Sequence, residues 1–442
     1  AMQNDTYVIC LAHADPRLAA SGIERYLADE AALLRRRGVS MLCLFPFPTR
    51  RSRKLSAYLS GYWGLTIDGR LCGFHKAEGV GGVVAGLRRM GRRPLEIQIH
   101  HLVHVDPKQV EILLREVPVA VKLFLHDYYT VCPQYNLLRN GLAYCGSEIP
   151  SLRKCAGCAS WTPAHHEKIR ALLEPVKARL TVVAPSRSAM QIWLDSFPDF
   201  GGQAMVLPHL KPVGEVVNGY AGKSGREPIR LAYVGAPARH KGWDIFTKLT
   251  EELSAANLNY EFYHFGLSKT KCARIRNVPV SFLEDGDQAM TEAIRRANID
   301  VVLLWALWPE TYSYTMQESL LANAMAITNP ESGNIADTVA REGCGLIFRD
   351  YDELRNYAMD VNRVENDINL HRGRAKTLPE RLVANEAILE AIDFAPADSL
   401  SGEGGPVRNA VPVEALYRLK LLKAALAAKW SRGASRRARA CG

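Results

Sequence analysis

The stretch IDVVLLWALWPETYSYTMQESLLANAMAITNP, residues 299–330, decides the reading of this chain. Its apolar opening, IDVVLLWA (299–306), reads as a strand buried on both faces, and a second such run, AMAITNP (324–330), follows it. Between them lie Glu310 and Glu318, eight positions apart. On one continuous helix they would stand roughly 80° apart and about 12 Å along the axis, so they cannot act as a touching pair. Pro309 breaks the run first, and Ser313 or Thr315 can cap a helix that starts near Tyr312 to Thr315. Glu310 then falls in the loop that leaves the strand, and Glu318 one or two turns into the helix. The loop N–H groups and the helix N-terminus make an anion site suited to a diphosphate. A carboxylate on either side accepts hydroxyl hydrogens from a ring. A diphosphate with a sugar on either side is a nucleotide sugar.

The same alternation of apolar runs with helices extends outward. Before the central stretch come IRLAYVG (229–235), YEFYHFG (260–266) and VPVSFL (278–283), and after it GLIF (345–348). In the first half YVICLAH (7–13), VSMLCLFPF (39–47), EIQIHHL (96–102), VAVKLFLH (119–126) and LTVVAPS (180–186) read as strands. GIERYLADEAALLRRRG (22–38) and PKQVEILLREV (107–117) read as helices between them. Such alternation predicts α/β architecture with two doubly wound, Rossmann-like domains. The expected boundaries are an N-terminal domain over 1–208 with a Cys-rich loop at 132–158, a linker at 209–228, a C-terminal domain at 229–390, and a tail at 391–442. Ligands of such sheets bind outside the strand C-termini, in a cleft between the two domains.

The 442 residues are 48% hydrophobic, enough for two or three cores, and hold no apolar run long enough for a membrane span. No signal peptide is read, and the opening Ala-Met looks like a cloning remnant, so the chain can be a module of a longer protein. Net charge is +10, of which residues 413–442, with eight Lys or Arg and one Glu, contribute +7. A basic tail on a nearly neutral body points to an anionic surface, either membrane or nucleic acid. Cys10 and Cys43 sit inside apolar strands, as reduced thiols do, which favours a reducing cytoplasm.

With Glu310 and Glu318 in this setting, the chain resembles retaining glycosyltransferases of the GT-B fold, most closely glycosyltransferase family 4 with its E-x7-E motif. The resemblance covers roughly residues 7–350. It implies that Glu310 contacts the transferred sugar and Glu318 the ribose, with Tyr312 at the usual phenylalanine-like position after the first glutamate and Ser313, Tyr314 and Thr315 around the donor. YVGAPARHKGWDIF (233–246) is similar to the family's glycine-then-Lys-Gly element, so Gly235, Arg239 and Lys241 are expected on the donor diphosphate, with His240 able to replace either cation. LFLHDYYTVCPQYNLL (123–138) is similar to its strand–His–Asp element, which sets His126 beside the donor sugar and lets Asp127 orient it or the acceptor. Ser21 and Gly22 correspond to the small-residue loop near the acceptor. His100, His101 and His104 end another strand and read equally well as supporting or surface residues.

Two features stand outside that pattern. Cys132, Cys145, Cys155 and Cys158, spaced C-x12-C-x9-C-x2-C, suit either a structural zinc or reduced or paired thiols. Leu416, Leu419, Leu422, Leu426 and Trp430 form one apolar helical stripe flanked by basic residues. That stripe fits an anionic membrane surface or packing back onto the first domain.

The resemblance implies a retaining hexosyltransferase that uses a nucleotide sugar and a glycan or lipid-linked acceptor in bacterial surface polysaccharide synthesis. It would be cytoplasmic and peripheral on the inner face of the cell membrane, with no nucleic acid partner. No cofactor is required, because Lys241, Arg239 and a helix N-terminus supply the positive charge for the departing diphosphate. Front-face attack is the expected route to retention, since no protein nucleophile is obvious. The alternatives are a sugar-nucleotide epimerase of the same fold and an inactive sugar-nucleotide-binding scaffold.

Overall fold

The computed structural model describes residues 4–18, 21–47, 61–146, 155–160, 162–220, 222–267, 272–374, 377–392, 410–411 and 413–419. It divides into two compact units: residues 1–123, 172–180 and 389–442 form one, and residues 124–171 and 181–388 the other. Among the described residues no helix is long and apolar enough to cross a membrane.

In the first unit, β1 (Thr6–Leu11) pairs in parallel with β2 (Val39–Pro46), which pairs antiparallel with β3 (Trp63–Ile67) and so on to β4 (Arg70–His75). On its other side β1 pairs in parallel with β5 (Arg93–Ile99), followed by β6 (Ala120–Phe124). The order is β6-β5-β1-β2-β3-β4, so a hairpin edges an otherwise parallel sheet. Asp68 and Gly69 both have positive φ, the two-residue turn that suits a twisted hairpin. The helix Gly22–Arg36 starts at a capping box, in which Ser21 accepts from Ile23 N (3.3 Å) and Glu24 accepts from Ser21 N (3.0 Å).

In the second unit the hairpin β7 (Leu138–Arg139) and β8 (Ala143–Tyr144) precedes β9 (Leu180–Ala184), which pairs in parallel with β10 (Ala204–Val206). The stretch expected to be a linker is structured. Its β11 (Leu210–Val213) and β12 (Val216–Val217) pair antiparallel with two later strands, β20 (Arg381–Ala384) and β19 (Thr377–Leu378) respectively. Lys223 is buried there, its Nζ 2.6 Å from Asp300 Oδ2.

The main sheet of this unit follows. Its strands are β13 (Ile229–Val234), β14 (Tyr260–Phe265), β15 (Ile275–Val278), β16 (Val301–Leu303), β17 (Met325–Thr328) and β18 (Gly345–Ile347). All neighbours are parallel, in the order β15-β14-β13-β16-β17-β18, a doubly wound arrangement. The strand expected over 278–283 lies earlier. Pro279 cannot donate to the ladder, so β15 ends at Val278 and Phe282–Asp285 turns helical. The core is continuous and apolar, built on Leu231, Tyr233, Phe246, Phe262, Val301, Leu303, Met325 and Ile327.

Candidate functional site

The chain leaves β16 through Trp308 and Pro309, as the apolar run requires, and Glu310 sits in the loop before helix Tyr314–Leu321. Ser313 caps that helix by accepting from Met316 N (3.1 Å), and Glu318 lies on its second turn. Both carboxylates are buried.

Glu310 is held by its backbone and by its side chain. It bridges Gly333, and its carbonyl accepts from Asn334 N (2.9 Å). A Cβ on Gly333, whose φ is +61°, would stand 2.6 Å from Pro309 backbone atoms, so this approach requires glycine. Its carboxylate accepts from Trp308 Nε1 (3.1 Å) and lies 3.3 Å from Lys241 Nζ.

Lys241 ends the short turn Arg239–Lys241 after β13 and is 44% exposed, against 7% for the Glu310 side chain. The turn closes at Gly242, φ +82°, where a Cβ would come within 2.2 Å of the Trp305 carbonyl. The residue after Lys241 must therefore be glycine for a steric reason. Gly235 donates its N–H to Phe265 O (2.8 Å), and Thr315 of the capped helix stands beside it. Arg239 is exposed and lies 3.8 Å from Asp244. Burial first, and then the Lys241 charge, push the His240 imidazole below its ordinary pKa.

His126 belongs to the same unit, just past β6. Thr311, next to Glu310, donates its hydroxyl to His126 O (2.6 Å), tying the His-Asp turn to the glutamate loop. The His126 ring lies 5.3 Å from that of His209, which in turn stands 4.5 Å from Tyr312. Asp127 accepts from Tyr129 N (2.9 Å), a turn-forming bond. The structure thus gathers Glu310, Lys241 and His126 around one loop, with Gly235 and Thr315 adjoining one another.

Ser21 and Gly22 stand at the start of the first helix in the other unit, with Ser21 serving as its cap. Around them His13 is 3.6 Å from Glu24, and its ring is 5.1 Å from that of His101. His100 lies buried, 3.4 Å from Glu30.

Trp308, Thr311 and His209 were not singled out from the sequence. The Trp308 indole gives the clearest signal in hindsight, since a buried tryptophan N–H needs an acceptor and Glu310 is two residues away. His209 sat in the stretch read as linker. A separate cavity of about 610 Å³ is lined by Tyr312, Leu320, Asn334, Asp337 and Arg341, among others, but not by Glu310, Glu318 or Lys241.

The four cysteines share one loop region. Cys145 N donates to Leu137 O (2.9 Å), Arg139 donates to Ala156 O (3.1 Å), and Ala159 N donates to Asn140 (2.9 Å), stitching the CAGC turn to the β7–β8 hairpin. Burial pushes the Cys132 thiol up to about 11, and the charges of Cys145, Cys155 and Cys158 add to it. Among the described residues, however, no three His, Cys, Asp or Glu side chains converge as a metal site. The zinc expectation rests on the sequence spacing.

No family model and no curated protein matches the sequence. Solved structures do match in fold. A glycosyltransferase from Rickettsia africae aligns with TM-score 0.51 at 9% identity, covering 85% of this chain and 95% of that one. HepE of Anabaena, solved with UDP and glucose, aligns with TM-score 0.44 at 12% identity over 83% of this chain and 94% of its own. The UDP-forming trehalose-phosphate synthase of Burkholderia vietnamiensis aligns with TM-score 0.44 at 12% identity over 84% and 94%. With the two compact units and the doubly wound sheet, the chain has the GT-B fold.

Proposed function

We propose that the chain is a retaining, nucleotide-sugar-dependent glycosyltransferase of the family 4 type, building a bacterial surface glycan on a glycan or lipid-linked acceptor. One observation carries the reading: buried Glu310, fixed by Trp308, pairs at 3.3 Å with the half-exposed Lys241 on the loops that leave β16 and β13. An ion pair with one mobile, solvent-reaching partner can open. Lys241 then turns to the diphosphate, while Glu310, freed of its cation, accepts from a sugar hydroxyl.

In the proposed donor complex Gly235 lets the phosphates approach the backbone closely, and the capped helix N-terminus at Tyr314–Thr315 adds backbone N–H groups to them, with Arg239 beside them. Glu318 holds the ribose. His126, tied to the glutamate loop through Thr311, donates to the transferred sugar, and Asp127 fixes the turn that presents it. As the sugar–phosphate bond breaks, charge grows on the diphosphate, and preorganised cation and N–H groups stabilise it without a metal. HepE is a solved relative in fold with UDP-glucose bound, so UDP sugars are the first donors to try.

The basic tail, +7 over residues 413–442, favours work at an anionic cytoplasmic membrane face. Incubation with a panel of nucleotide sugars, read by NMR, tests the assignment. Release of nucleoside diphosphate with retained anomeric configuration supports the transferase. Interconversion of the sugar points instead to an epimerase, and binding without turnover to a scaffold.

A further inference from the structure

The C-terminal stretch does more in the first unit than end the chain. Residues 413–419 are helical, and Val413 and Tyr417, one turn apart, are each 1% exposed. They pack on Phe45, Phe47 and Phe74, with the Tyr417 ring centroid 5.0 Å from Phe74, 5.8 Å from Phe45 and 5.9 Å from Phe47. Just before the helix, Ala410 N donates to Phe74 O at 2.9 Å. The side chains that pack on the ring are aromatic or apolar, so a phenylalanine ring would pack there as well. The residue is a tyrosine, and a buried phenol is costly unless its hydroxyl finds a partner.

That partner is Asp15, whose Oδ2 accepts from the Tyr417 hydroxyl. Asp15 lies in the loop between β1 and the helix Gly22–Arg36, and it is buried. The same carboxylate also accepts from Arg17, through its backbone N (3.1 Å), its Nε (2.8 Å) and its Nη2 (2.5 Å), while Asp15 O accepts from Leu18 N (3.1 Å). A turn closed on a buried carboxylate is thus completed by a side chain 402 positions away. The same loop carries His13, beside Glu24 and His101, and leads into Ser21.

The helical stretch has a second face. Leu416 and Leu419, three residues apart, are 45% and 55% exposed, while Val413 and Tyr417 point inward. Exposed leucines in a segment of 30 residues with eight Lys or Arg match an anionic bilayer in both apolar and charge terms.

We propose that Tyr417 is a positioning residue for the β1 loop, and that an anionic bilayer seated on Leu416 and Leu419 tightens that loop through the Tyr417–Asp15 hydrogen bond. The proposal rests on the glycosyltransferase reading only in calling the loop acceptor-side, and its test needs no acceptor.

Hydrogen exchange read by mass spectrometry, on the full chain, compares wild type with Tyr417→Phe, which keeps the ring and removes the hydroxyl. Without lipid, the peptide spanning residues 11–18 is expected to exchange at least about threefold faster in the variant. Peptides over 39–47 and 70–75, under the ring, and the melting temperature stay unchanged, as does hydrolysis of whichever nucleotide sugar the wild type accepts. Vesicles of 30% phosphatidylglycerol in phosphatidylcholine then slow exchange over 11–18 in wild type. Tyr417→Phe binds the same vesicles without that slowing, and Leu416→Ser with Leu419→Ser weakens binding. Equal exchange over 11–18 in wild type and Tyr417→Phe overturns the positioning role. Wild type that ignores the vesicles overturns the bilayer half alone, and loss of nucleotide-sugar hydrolysis in the wild type itself strikes the enzyme reading rather than the hydrogen bond.

Discussion

Both units bury carboxylates beside a largely parallel sheet, yet they use them in opposite ways. In the first unit Glu96 and Gln98 project from the middle of β5 toward Glu30 of the first helix. Gln98 Nε2 donates to both glutamates at 2.8 Å, and Lys122 of β6 lies 2.5 Å from Glu96. Every cation and donor in that set is itself buried, so none of them reaches solvent. In the second unit Glu310 stands beyond the end of β16, and its cation is the half-exposed Lys241. A buried pair costs desolvation at both ends, and removing one partner leaves an uncompensated buried charge. A carboxylate whose cation can leave is instead prepared for a ligand. The difference agrees with the proposed function, which sets the chemistry at the second unit's strand ends and leaves the first unit's network as scaffold.

The sharpest way to break that contrast is to remove the mobile pair. Glu310→Gln keeps the shape and the Trp308 contact but not the charge, and Lys241→Ala removes the cation. Each is expected to lower turnover by about 10²–10³-fold, the scale of losing one preorganised electrostatic group. The fold should persist by circular dichroism. Only Lys241→Ala should also weaken the nucleoside diphosphate strongly. Full turnover in both variants would dissolve the distinction between the units.

Glu318→Ala is expected to act on binding rather than turnover. Losing a charge-assisted hydrogen bond to the ribose should weaken the nucleoside diphosphate by about 1–3 kcal/mol in calorimetry. An effect equal to that of Glu310→Gln in both affinity and rate would mean the two glutamates do not grip different rings.

Much of this second unit was legible in the sequence, because its strands are short apolar runs bounded by turn residues and its site follows their ends. Glu310, Lys241 and Gly235 were placed by that logic, and Lys241–Gly242 gains a steric reason from the Trp305 carbonyl. What was missed depends on long-range pairing. The sequence TIDGRL carries a hairpin turn at Asp68-Gly69, but β3 and β4 are recognisable as an edge only once β2 is in place. The stretch 209–228 reads as linker because Gly, Pro and polar residues dominate it. Its strands are completed by residues 377–384, and Lys223 is buried only because Asp300 receives it. Of the tail stripe, Leu416 and Leu419 are exposed, while Leu422, Leu426 and Trp430 lie outside the described residues. The inward anchors, Val413 and Tyr417, fall on a neighbouring face that the stripe did not include.

The buried network of the first unit carries a pH signature. Burial, and then the neighbouring charge of Glu96, push Glu30 up to about 8 from an ordinary 4.5. A carboxyl with a raised native pKa binds its proton more tightly folded than unfolded. Its stabilising contribution is complete below about pH 4.5 and is lost as pH rises toward 8. Glu30→Gln removes the titration, so stability of the variant should fall less between pH 6 and 8, by about 2 kcal/mol relative to wild type. Urea melts at the two pH values measure this, and parallel losses in both proteins would show that Glu30 is not protonated in the fold.

The smallest effect concerns how Glu310 is aimed. Trp308 is buried, its ring centroid 6.3 Å from that of Tyr128 in an edge-on contact, and its Nε1 donates to Glu310 Oε1 at 3.1 Å. With Lys241 turned to a diphosphate, this indole is a donor that still fixes the carboxylate while it receives a sugar hydroxyl. Trp308→Phe keeps an aromatic ring against Tyr128 and deletes the N–H. Losing one hydrogen bond of this kind costs about 0.5–1.5 kcal/mol, so turnover should fall by about 2–10-fold. Affinity for the free nucleoside diphosphate should be unchanged, because the proposed function has Lys241 and the helix N-terminus hold the phosphates. The split between rate and affinity is what separates aiming from packing. A variant that loses affinity and rate alike has disturbed the loop as a whole, and Trp308 is then part of the core beneath the site.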